Sequence, residues 1–135
     1  MASLPIFEVA GSALHAQSTR LNTIASNLAN IDNVSGDPQA VYKPIDPVFS
    51  AYPVAGESGL QGVRVAQIVT SEAEPVRRYE PGHPDADPEG YVYAPDMDPI
   101  AMTVNMISAS RNYQNSVEVL NTAKELALAT LNMNR

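Results

Sequence analysis

At 135 residues and a formal net charge of −7, the chain has room for one small domain with appendages. It has no cysteine, no tryptophan and only two phenylalanines, which excludes disulfide and thiolate chemistry and leaves a mainly aliphatic apolar content suited to helix seams. The acidity is central: residues 36–98 hold eleven acids against Lys43, Arg64, Arg77 and Arg78, while both flanks are nearly neutral, so no basic footprint for nucleic acid exists.

The pattern predicts a first helix over about residues 4–31. Ser3 stands at the N-cap, Pro5 lies in the first turn where its missing N–H does no harm, and Glu8 complements the positive helix end. Ala10, Ala13, Leu14, Leu21, Ile24, Leu28 and Ile31 recur at helical spacings. Leu14, Leu21 and Leu28 are seven apart, an a/d-like seam interrupted by Gln17. Asp32 to Pro38 ends the helix with turn formers and a proline. The first basic side chain is Arg20, so a cleaved secretory signal is not expected. No run of about 18 apolar residues occurs, so no membrane-spanning segment is expected either.

The middle, 36–98, contains nine of the eleven prolines and reads as extended. Val63 to Val69 alternates as a half-buried strand, and Val76 to Glu80 and Tyr91 to Tyr93 read as two more. Val41–Tyr42 and Val48–Phe49 are short edge segments limited by Pro44 and Pro47. Ser50 to Gly62, with three glycines, reads as a flexible loop. The expectation is a small hairpin region of about three strands. Asp85, Asp87, Glu89, Gly90 and Asp96 imitate the spacing of a calcium loop, but Pro88 stiffens it and no helix leads in. It reads as an acidic turn between strands. His15 and His83 have no partner at catalytic spacing, and nucleotide-loop and nucleophile-elbow patterns are missing, so neither an enzyme nor a bound cofactor is expected.

The last helix, 99–135, starts sharply with Asp98 as N-cap and Pro99 at the first helical position. Its stripe runs Met102, Met106, Ala109, Tyr113, Val117, Leu120, Ala123, Ala127 and Leu131. Both helices are rich in amides, among them Asn27, Asn30 and Asn121, where a solvated face would carry Lys and Glu. The fold expected is mainly α with a small β region. Residues 1–35 and 99–135 form a coiled-coil-like core pair, and 36–98 forms the short hairpin middle.

The run Ser26-Asn27-Leu28-Ala29-Asn30 resembles the N-terminal signature of bacterial flagellar rod and hook proteins, with Ser35-Gly36 where Thr-Gly is common. Met106 to Gln114 and Val117 to Lys124 resemble the rod-protein C-terminal motif, and the short middle is similar to that of proximal rod subunits. The resemblance implies a structural subunit of the basal-body rod, exported through the flagellar type III apparatus without a cleaved signal and assembled in the periplasm. Its implied partners are further copies and the neighbouring proximal and distal rod proteins. Leu14, Leu21, Asn27, Leu28, Asn30, Ile31, Tyr113, Val117, Leu120 and Asn121 are the expected subunit-interface residues. The competing readings are a soluble helical-hairpin adaptor and, more remotely, a calcium-dependent module.

Overall fold

The computed structural model describes residues 3–135, with side chains from Pro5 onward. The cap expected of Ser3 therefore lies outside the described side chains. Two long helices dominate: α1 (Ser3–Ala29) and α2 (Pro99–Met133). They run antiparallel, since the Arg20 guanidinium donates to Asn105 Oδ1 while Ile6, Val9 and Ala13 share a groove with Asn115, Ser116 and Val119. Small residues set the contact. Ala10 and Ala16 on α1 and Ala109 and Ala123 on α2 are all buried, which lets the backbones approach closely. At the start of α2, Asp98 is extended and its carboxylate accepts the Ile100 N–H at 2.9 Å, with Pro99 following, as the sequence predicts.

Between the helices the chain makes two separate antiparallel hairpins. Strands β1 (Ile45–Pro53) and β2 (Gln61–Thr70) pair from Ile45–Thr70 to Pro53–Gln61, with a bulge at Val48/Phe49. This hairpin packs on α1 and, among the described residues, not on α2. Strands β3 (Val76–Tyr79) and β4 (Tyr91–Ala94) form the second hairpin, centred on the fully buried Val92. It joins the end of α1 through paired backbone bonds between Ser35 and Tyr93 of 3.0 and 2.7 Å.

The mainly α architecture agrees with the sequence, but the middle needs correction. Among the described residues there are four strands rather than three. The segment read as a loop from Ser50 to Gly62 is largely strand, leaving 54–60 as the turn, with Gly56 and Gly59 at φ +83° and +91°. Gly62 lies in β2 beneath the Tyr52 ring, where a Cβ would collide. Pro47 stands inside β1 opposite Ile68. A two-stranded ribbon has two open edges, so the N–H that proline lacks need not come from the ladder. Val41–Tyr42 is not a strand; Val41 is buried in the connection from α1.

Candidate assembly surface

At about 100° per residue, α1 presents three stripes. The first, Ser12, Ala16, Thr23 and Asn27, meets the β1–β2 side. Ser12 Oγ accepts the Val63 N–H at 3.1 Å, and Thr23 donates its hydroxyl to the Arg20 carbonyl three residues back in the helix. Asn27 is only 2% exposed and spends both ends of its amide on the connection into β1. Its Oδ1 accepts from the Tyr42 hydroxyl at 2.9 Å and the Ile45 N–H at 3.0 Å, and its Nδ2 donates to Ile45 O at 2.9 Å. Removing that amide would leave buried groups unpaired, which is why the position demands Asn.

The second stripe, Ile6, Ala13, Gln17, Arg20 and Ile24, is turned to α2. Ile24 is buried there, whereas Gln17 Oε1 is buried without a hydrogen-bond partner among the described residues. The third stripe is the heptad Phe7, Leu14, Leu21 and Leu28, half-buried along its whole length and opposite the hairpin. On α2 the inner stripe is thinner. Only Ala109 and Ala123 are buried; Met102, Met106, Val117, Leu120 and Ala127 are half-buried and Tyr113 is exposed. The outer side of α2 carries a second apolar row, Ile100, Val104 and Ile107, with Ile100 75% exposed. At the far end Leu126, Leu128, Leu131 and Met133 are also exposed.

The remaining residues expected at the interface are spread over these surfaces. Ile31 lies just beyond α1, lining an open groove with Val76, Arg78 and Met97. Asn30 donates to Ser26 O within the last turn, and Asn121 is exposed on α2. The sequence reading missed Ser12 and Tyr42 as docking groups, and it missed the outer row of α2. Isoleucine and valine at spacings of four and three were the available signal for that row.

Family models match the two helical ends. One described as flagella basal body rod protein covers residues 7–36, and one described as flagellar basal body rod FlgEFG protein C-terminal covers 89–133. The whole chain is similar to flagellar basal-body rod protein FlgC from three bacteria. Identity is 49% over 133 residues for Escherichia coli O157:H7, 48% over 133 for Salmonella typhimurium strain LT2 and 50% over 135 for Yersinia enterocolitica, with 98% of both chains covered each time. The chain belongs to the FlgC family of flagellar basal-body rod proteins. As a family member it is a structural subunit of that rod.

In this rod protein the two matched segments meet physically. The first runs to Gly36 and the second includes β4, and the Ser35–Tyr93 backbone pair joins them. Gly36 itself lies against the Asp85 carbonyl and the Asp87 N–H, so a Cβ there would strike backbone. The acidic run beyond it is a turn: Asp87 Oδ1 accepts the N–H groups of Glu89 and Tyr91 at 2.9 and 2.8 Å. Among the described residues no group of three or more His, Cys, Asp or Glu is placed to hold a metal ion. Arg77 lies 3.5 Å over the Tyr91 ring and bonds Glu89 at 3.0 Å, bracing the hairpin at its surface. No described helix is long and apolar enough to cross a membrane.

Proposed function

We propose that the chain polymerises through its two terminal helices to build the rod wall, enclosing the export channel and transmitting torque, with no catalytic role. Residues 1–35 and 99–135 act as one helical core domain, and 36–98 serve as the hairpin and loop region that meets neighbours further out. The subunit passes the flagellar type III export apparatus without a cleaved signal and takes its place in the periplasmic rod beside copies of itself and other rod proteins. Leu14, Leu21, Leu28, Ile31, Tyr113, Val117, Leu120 and Asn121 line the seams between subunits, with Asn27 and Asn30 holding the end of α1 in shape for them.

The observation that carries this reading is the half-buried heptad of α1 alongside a 35-residue α2 with only two buried residues. Such helices have more apolar surface than one chain covers, and association buries the rest. An adaptor reading is not favoured, because the similarity to rod proteins spans 98% of the chain. The test is Tyr113→Asp, chosen because Tyr113 is the most open large side chain in the middle of the inner stripe of α2, at 38% exposure. The variant should keep wild-type circular dichroism and melting and still be exported, yet give non-motile cells without rods. Normal motility would remove Tyr113 from the seam. Leu120→Asp should act in the same direction with some loss of monomer stability.

A further inference from the structure

The turn between β3 and β4 holds His83, one of two histidines in the chain, with its side chain only 28% exposed. Its Nδ1 accepts the Asp85 N–H at 3.0 Å, which fixes the ring as the neutral tautomer with its proton on Nε2. The same Nδ1 lies 3.9 Å from Asp85 Oδ2, so one residue offers this nitrogen both a donor and an acceptor. A protonated imidazole carries N–H at both nitrogens and can no longer take the backbone N–H. Imidazole is the side chain that ordinarily changes charge between about pH 5 and pH 8.

We propose that His83 and Asp85 form a pH-dependent switch: the neutral ring holds the Asp85 N–H, and the protonated ring releases it and pairs with the Asp85 carboxylate instead. The hydrogen bond given up and the ion pair gained are of similar size at a part-exposed site, so the two states lie close in free energy. The charged and titratable groups on the turn, its two strands and the segment packed on it are Glu80, Asp85, Asp87, Glu89, Arg77, Arg78, the phenols of Tyr79, Tyr91 and Tyr93, and Asp37 next to Gly36. Arg77 bonds Glu89 and Arg78 lies 3.8 Å from Glu80, and among the described residues Asp85 is the one carboxylate that pairs with the ring. Asp85 also ties the switch to the fold. Its carbonyl and the Asp87 N–H lie against Gly36, and the neighbouring Ser35 makes the backbone pair with Tyr93. Protonation is thereby felt where the end of α1 meets the second hairpin. The switch belongs to the single chain and stands whether or not copies assemble.

Nuclear magnetic resonance of the full-length chain, titrated from about pH 8 to about pH 5, tests the switch. The Asp85 amide proton should move upfield as its bond is lost, with the same midpoint as the His83 ring, and the Gly36 amide should move with it. In His83→Asn the side-chain oxygen should keep accepting the N–H two residues on, so the movement of Asp85 over this range should vanish. Asp85→Asn removes the carboxylate that receives the protonated ring. Its melting temperature should fall over the same range by more than that of the wild type, because the unfolded chain then takes up the proton more readily than the folded one. Adding His83→Asn should abolish that extra fall. An Asp85 amide that stays fixed while the His83 ring titrates would overturn the switch, and a fixed Gly36 amide would overturn its link to the end of α1. An equal fall in melting with and without His83 would remove the carboxylate as the second partner of the ring.

Discussion

The two long helices divide the work unequally. Helix α1 is flanked by α2 on one side and the β1–β2 hairpin on another, and it holds the buried Ala10, Ala16, Thr23, Ile24 and Asn27. Helix α2 is eight residues longer (35 against 27), touches only α1 among the other elements described, and buries two alanines. One helix is the internal spine and the other is mostly exposed surface. Similar apolar patterning in the sequence thus ends in different physical roles, set by what the middle of the chain chooses to cover.

That contrast can be broken at its strongest point first. Asn27→Ala should cost about 3 kcal/mol in denaturant unfolding, since it strands the Ile45 N–H and the Ile45 carbonyl beside a buried position and leaves the Tyr42 hydroxyl with Ser26 Oγ alone. A loss near zero would mean that α1 is not the spine. Ala109→Leu forces a larger side chain into the fully buried point of α2 and should destabilise by about 2 kcal/mol. Asp98→Ala removes the cap that holds the Ile100 N–H, about 1 kcal/mol in the same assay. Gln17→Met should go the other way and stabilise by about 1 kcal/mol, by replacing a buried, unpaired carbonyl oxygen with a thioether. Val104→Ser, on the outer row of α2, should change monomer stability by less than about 0.5 kcal/mol. Its effect belongs to assembly, and a large melting shift would show that the row is covered within the chain.

Much of this was legible in the sequence because the signals are local. Asp98 and Pro99 fix where α2 begins through one carboxylate and one missing N–H, and periodicity carries both helices. The long first hairpin was not legible, because Pro47 and the glycines at 56, 59 and 62 argue against strand in any reading that cannot see how many edges the sheet has. The amides show the same limit. Asn27 and Asn121 look alike in sequence, yet one is buried on Tyr42 and Ile45 and the other lies in the open. What separates them is a tyrosine and a strand start 15 and 18 positions downstream of Asn27, long-range facts that residue spacing does not encode.

The capped, acidic start of α2 and its apolar finish give the helix a chemical polarity. One end of the helix displays bare leucines and a methionine, and the other displays Ile100 and Ile107 just after the acids Asp96 and Asp98. Surfaces that cover the two ends of α2 must therefore differ in chemistry.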